Sequence, residues 1–173
     1  MSQEHPLVQL ARATIEQYTR TGRRLRPEEA PAAIEGGPAG AFVTIHTAST
    51  GELRGCIGTI EATEPGLALE VINNAISAAT RDPRFPPVAP AELDDLRIDV
   101  SVLHPPEPIE SEAQLDPKVY GVIVRHGWRR GLLLPDIEGI DDAATQVRYA
   151  RMKAGIQPHE RVELQRFKVE KYV

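Results

Sequence analysis

Ala41-Phe42-Val43-Thr44-Ile45-His46-Thr47, then Ala48-Ser49-Thr50-Gly51, then Glu52-Leu53-Arg54-Gly55-Cys56-Ile57-Gly58-Thr59-Ile60, reads as a β-hairpin. Both runs have the period-two or β-branched character of strands, and the link carries a glycine where a left-handed residue often sits. Antiparallel pairing is therefore set early in the chain. Leu96, Ile98, Val100 and Val102 alternate with Arg97, Asp99 and Ser101, which predicts a further half-buried strand. Val119–Arg125 and Leu132–Leu134 are expected as strands around a Gly127–Gly131 turn, and Val162–Val169 as the last strand.

Three helices fit between them. Leu7, Leu10/Ala11, Ile15 and Tyr18 recur at helical spacing behind Pro6, predicting a helix to about Arg20. The second is expected to open at Thr63-Glu64-Pro65, with Thr63 as cap, and to stop before Pro83. Asp141 or Asp142 caps the third, which runs to Ala154 and closes at Gly155. Residues 21–40, rich in Arg, Pro and Gly, are expected to form a loop. The order α-β-β-α-β-β-β-α-β is hairpin-dominated and lacks a βαβ alternation. It predicts an α+β fold, a largely antiparallel sheet with flanking helices. We expect one domain over residues 1–173, with a smaller lobe within about 84–118.

Composition bounds the function. At 173 residues and 41% hydrophobic content the chain can bury a core without disulfide or metal staples. Twenty basic against 25 acidic residues leave a net charge of −5, which argues against general nucleic-acid or membrane-surface binding. No N-terminal stretch resembles a signal peptide and no run nears the roughly 18 apolar residues of a membrane span, so a cytoplasmic location is expected. The lone cysteine, Cys56, excludes an intramolecular disulfide and a cysteine zinc cluster, and no histidine pair has helical ligand spacing. No metal site is expected, and no cofactor is indicated.

Leu53-Arg54-Gly55-Cys56-Ile57-Gly58 is the most pointed segment. Gly55 and Gly58 within a strand mark a bulge, or a place where a ligand or another backbone comes close. Alternation puts Arg54 and Cys56 on one face, where a guanidinium would favour the thiolate. The competing reading is a small core cysteine beside a surface arginine. Whether His46 can serve as base depends on the turn. A three-residue loop sets His46 opposite Arg54, on the Cys56 side, whereas a two- or four-residue loop shifts the pairing and turns it away. In Arg81-Asp82-Pro83-Arg84-Phe85, the arginines Arg81 and Arg84 on a stiff turn would grip a carboxylate or phosphate. Asp99 is a further acid/base candidate. The basic run His126-Gly127-Trp128-Arg129-Arg130-Gly131 carries the only tryptophan, which could stack on a ring.

These residues resemble the AMMECR domain family, whose hallmark Leu-Arg-Gly-Cys-Ile-Gly stands unbroken at 53–58. The similarity continues through Asp82-Pro83-Arg84-Phe85, Ser101-Val102-Leu103 with Pro105-Pro106, Gly131-Leu132-Leu133-Leu134-Pro135 and Lys153-Ala154-Gly155-Ile156. The resemblance implies an α+β fold of two unequal lobes with the hallmark strand lining a cleft between them. It also implies association with a Memo-type protein and a radical-SAM enzyme, as in AmmeMemoRadiSam system protein A, and brings no settled reaction or cofactor. Asp99 stands where the family often has Glu, and Asp136 where Gln is common. Two functions follow as expectations. One is a site for a small anionic metabolite, with Arg54 and Arg84 holding the anion, Cys56 as nucleophile or redox thiol and Asp99 or His46 as its partner. The other is a non-catalytic partner or carrier subunit.

Overall fold

The computed structural model describes residues 3–173. They form two compact units, one running to Leu103 and resuming at Glu170–Val173, the other covering His104–Val169. The first contains α1 (Pro6–Thr21), β1 (Ala41–Thr47), β2 (Leu53–Gly58), α2 (Leu67–Thr80) and β3 (Leu96–Leu103), and β8 (Val169–Tyr172) completes its sheet. The second contains β4 (Glu107–Ile109), β5 (Gly121–His126), β6 (Arg129–Leu133), α3 (Ala143–Ala154) and β7 (Glu163–Phe167). The sheets have the orders β2-β1-β3-β8 and β4-β7-β5-β6. The ladders β1–β2, β1–β3, β4–β7, β5–β6 and β5–β7 are antiparallel, so the chain has the α+β class read from its pattern.

Local chemistry explains the helix ends. His5 Nδ1 accepts from Leu7 N at 3.3 Å, Pro6 fills the first turn, and Gly22 closes α1 at φ 73°. Asp142 is the cap of α3, accepting from Thr145 N at 2.7 Å, and Gly155 closes it at φ 69°. Thr63 does not cap α2, whose cap is Gly66. Thr63 is drawn away by the buried carboxylate of Glu70, which accepts from its backbone N–H at 3.0 Å and from Thr59 Oγ1 at 2.5 Å. Leu67, Val71, Ile72, Ala75, Ile76 and Ala79 make α2 apolar nearly all round, as befits a helix lying against both α1 and the strands β1 and β2.

Several boundaries depart from the sequence pattern, among them the start of β6, which is Arg129 rather than Leu132 because the turn is only Gly127-Trp128. The segment expected as one strand, Val162–Val169, is two, because the chain leaves the second sheet at Phe167 and enters the first at Val169. The smaller unit covers 104–169 rather than about 84–118, since Leu96–Leu103 is an interior strand of the first sheet. The strand Glu107-Pro108-Ile109 is too short to alternate, and its proline is tolerated because β4 is an edge strand. Among the described residues no helix is long and apolar enough to cross a membrane.

Candidate functional site

The turn of the β1–β2 hairpin has four residues, Ala48–Gly51. Thr47 N donates to Glu52 O at 2.9 Å, and Gly51 N donates to Thr47 O at 2.8 Å. By parity alone that turn would direct His46 away from Cys56. A β-bulge restores the phase: Ile45 pairs with Gly55 but His46 with Leu53, leaving Arg54 as the extra residue. Strand β1 runs without interruption against β3, so Thr44 and His46 share a face. Thr44 is the partner of Cys56, and its Oγ1 lies 3.2 Å from Cys56 Sγ. Cys56 and His46 therefore occupy one face as diagonal neighbours, while Val43, Ile45, Ile98 and Val100 belong to the hydrophobic core.

Across that face Cys56, Thr44 and Asp99 are in register on three strands. Asp99 is buried, and its carboxylate lies 3.9 Å from His46 Nδ1 and 3.6 Å from Lys171 Nζ on β8. These are charge contacts rather than hydrogen bonds, and among the described residues His46 Nδ1 has no hydrogen-bond partner. Burial first, then the charges of Arg97 and Lys171, push His46 below its ordinary 6.5, against the opposing pull of Asp99. NMR titration should show the His46 ring protons changing with a midpoint under 6.5. Arg97→Gln should raise that midpoint, and a wild-type midpoint above 6.5 would mean that Asp99 outweighs burial.

Arg54 departs from the expected geometry, because the bulge breaks the alternation that would have paired it with Cys56. Its side chain is buried, donating to Glu92 through Nε at 2.7 Å and Nη2 at 3.1 Å, with its guanidinium 6.0 Å from the Phe85 ring centre. Glu92 is held below its ordinary range chiefly by those bonds. The protein's own carboxylate thus occupies most of the grip assigned to Arg54, although Nη1 is buried without a hydrogen-bond partner among the described residues. The glycines serve packing. A Cβ on Gly55 would meet the Ala78 carbonyl oxygen of α2 at 2.3 Å, and one on Gly58 would enter the Phe42 ring at 2.2 Å. Helix backbone and aromatic ring, not a ligand, make the close approaches at these two positions.

Asp82 is the hub of a segment that the sequence pattern presents only as a stiff turn carrying two arginines. Strand β2 is an edge strand, and at Cys56 its free edge is covered by side chains. Cys56 N donates to Asp82 Oδ2 at 3.0 Å, and Arg84 Nη2 reaches Cys56 O at 3.5 Å. Arg84 also donates to Asp82 from its backbone N at 3.1 Å, Nε at 3.0 Å and Nη2 at 2.8 Å. The carboxylate is 4% exposed and pushed far below its usual range, first by the Arg84 side chain and also by the backbone N–H groups, against burial. Arg84 is raised chiefly by its bonds to Asp82. About half of the Arg84 side chain stays in solvent, with its guanidinium 5.4 Å from the Phe85 ring centre. Arg81 is exposed at the end of α2, where a cation complements the helix dipole.

The structure thus groups Cys56, His46, Asp99 and Arg84, commits Arg54 to Glu92 and leaves Arg81 apart at the helix end. It adds Thr44, Lys171 and Asp82. Thr44 is legible once register is known, two residues before His46, whereas Lys171 lies on a strand that the sequence pattern does not show. Among the described residues no group of three or more His, Cys, Asp or Glu side chains is arranged to hold a metal.

Comparison with known proteins agrees with this architecture. A Thermotoga maritima protein is 56% identical over 98% of this chain and 98% of its own. A Clostridium acetobutylicum protein is 41% identical over 98% of this chain, a match that takes up 36% of that longer sequence. The crystal structure of a Pyrococcus horikoshii protein, described as uncharacterized, superimposes with a TM-score of 0.85 at 36% identity, covering 95% of this chain and 88% of that one. The AMMECR1 family model matches residues 8–172, and the chain belongs to the AMMECR1 family.

Proposed function

We propose that the β2 edge around Cys56 binds a small anionic molecule, with Arg84 facing the anion and Cys56 as a reactive thiol. The observation that carries this reading is a guanidinium fixed by Asp82 beside a partly exposed thiol, with half of its surface still in solvent. A pre-positioned arginine binds an anion at lower ordering cost than a free one. On the sheet face that carries Cys56, the charge of Asp99, 3.9 Å from Nδ1, favours the His46 tautomer with the proton on that nitrogen, so that Nε2 is the acceptor. Neutral His46 is then suited to take the thiol proton as sulfur adds to a carbonyl carbon of the ligand, the C=O π electron pair moving to oxygen as the S–C bond forms.

Cys56 is the only cysteine, so alkylation of the protein reads this site alone. Anionic iodoacetate and neutral iodoacetamide should be compared in the wild type and Arg84→Gln. One charge a few ångströms away in a wet environment is worth about 1 kcal/mol, a factor of roughly five in relative rate. The iodoacetate-to-iodoacetamide rate ratio should fall by at least that factor in the variant, because Asp82 is then uncompensated. An unreactive thiol, or the same ratio in both proteins, would sink the reading.

A second reading is that the domain works as a non-catalytic partner or substrate-carrier subunit for Memo-type and radical-SAM proteins. It draws support from the Clostridium acetobutylicum relative, in which the matched region is 36% of a longer chain and so is joined to further polypeptide. Co-purification with those two protein types would support it, and no association at micromolar concentrations would count against it.

A further inference from the structure

Strands β5 and β6 meet at a two-residue turn, Gly127-Trp128, between the paired residues His126 and Arg129. Gly127 has φ 61° and Trp128 does not adopt a positive φ, the pattern of a turn that needs glycine at its first central position. Nothing in that backbone calls for a large aromatic at the second. Yet the chain's only tryptophan stands there, 91% exposed.

The tip beneath the indole is braced. Arg129 Nη1 donates to Gly155 O at 2.8 Å and to Glu160 Oε2 at 3.0 Å. His126 Nδ1 lies 2.5 Å from Arg161 O, and Arg125 pairs with Glu163. An indole on a braced ladder loses little freedom on docking, which is how tryptophan anchors act at protein interfaces. Beside it lies a groove of about 510 Å³ lined by Arg125, His126, Gly127, Arg161, Val162 and Glu163. Arg125 pairs with Glu163 and Arg129 with Glu160, so the exposed Arg161 adds a positive charge at the tip in a chain of net charge −5.

We propose that the β5–β6 tip is a docking surface for an acidic protein segment carrying an apolar side chain. The indole covers the apolar side chain, and Arg161 at the groove receives a carboxylate. Charge complementarity favours an acidic partner. A membrane surface is disfavoured by the chain's net negative charge, and a nucleic-acid strand by the single aromatic residue, since such strands are bound on several stacking rings. This surface does not involve Cys56.

Trp128 is its own reporter, because its fluorescence is the only tryptophan signal. The probes are a short peptide of glutamates with one central leucine, the same peptide with glycine at that place, anionic phosphatidylglycerol vesicles and oligouridylate. The leucine peptide should shift the emission to the blue saturably and the glycine peptide should bind at least fivefold more weakly. Trp128→Ala, with an unchanged melting curve, should weaken binding of the leucine peptide at least tenfold by calorimetry. Added salt should weaken it further, and Arg161→Gln should reduce affinity while leaving the emission of the free protein unchanged. No saturable shift up to millimolar leucine peptide would overturn the proposal. A shift only with vesicles or oligouridylate would overturn it in favour of that other partner, and equal affinity for both peptides would overturn the role of the indole.

Discussion

Gly55→Ala should destabilise the protein by about 3 kcal/mol, a large share of the roughly 5–15 kcal/mol that holds a domain folded. The added Cβ would stand 2.3 Å from the Ala78 carbonyl oxygen and 3.2 Å from its carbonyl carbon. Those are backbone atoms of α2, so no rotamer change can clear them, and the helix must move away from the strand. Ile72, Ala75, Ile76 and Ala79 of that helix are buried in the core and would lose packing as it moved. Urea denaturation of the variant should show a lower midpoint with an unchanged slope. Gly37→Ala is the control, since nothing lies within 4 Å of its would-be Cβ, and its effect should stay within about 0.5 kcal/mol. Equal effects at the two positions would show that backbone freedom, not contact with α2, explains the glycine in the hallmark strand.

That glycine shows where sequence reasoning reaches and where it stops. Two glycines in a strand signal that something comes close, and at Gly55 and Gly58 something does. The identity of the neighbour is a tertiary fact, set by where α2 packs and how Phe42 lies, and no local pattern carries it. The hairpin and the interior strand are legible because apolar and polar residues alternate, and the helix ends at Pro6, Asp142 and Gly155 because each residue suits its terminal position, whereas the His5 cap is not. Thr63 misleads because capping propensity is local, whereas the pull of buried Glu70 is not. The His46 question turns on phase. Turn length alone gives the wrong face, and one extra residue at Arg54 reverses it. The bulge is marked by the strand glycine beside it, Gly55, but its effect on phase is not, and the arginine it displaces finds Glu92 from 38 residues away in sequence. Lys171 is hidden for a related reason: the last stretch of chain divides between two sheets, so its β-character reads as one strand.

Asp82→Ala should be about as costly as Gly55→Ala, by a different route. The carboxylate accepts four N–H groups, from Cys56 N and from Arg84 N, Nε and Nη2, while being 4% exposed itself. Removing it leaves the Cys56 N–H unpaired at the sheet edge and the Arg84 guanidinium without its counter-charge. Breaking such a pair costs about 3–5 kcal/mol when both charges are buried, and the half-exposed Arg84 places the expected loss near 3 kcal/mol. The pH dependence separates charge from packing. The folded-state value of Asp82 is depressed, so the unfolded chain takes up its proton first as the solution is acidified. The stabilisation is complete above the ordinary carboxylate range near pH 4 and is lost progressively as pH falls from there toward the folded value. Asp82→Asn keeps the shape without the charge. The stability gap between wild type and Asp82→Asn should therefore be flat from about pH 8 to 5 and narrow below about pH 4. A gap that persists unchanged down to pH 2 would mean that hydrogen-bond geometry, not ionisation, supplies the energy. Asp82→Asn should also raise the iodoacetate preference of Cys56 at neutral pH, the opposite of Arg84→Gln, because the Arg84 charge is then uncompensated beside the thiol.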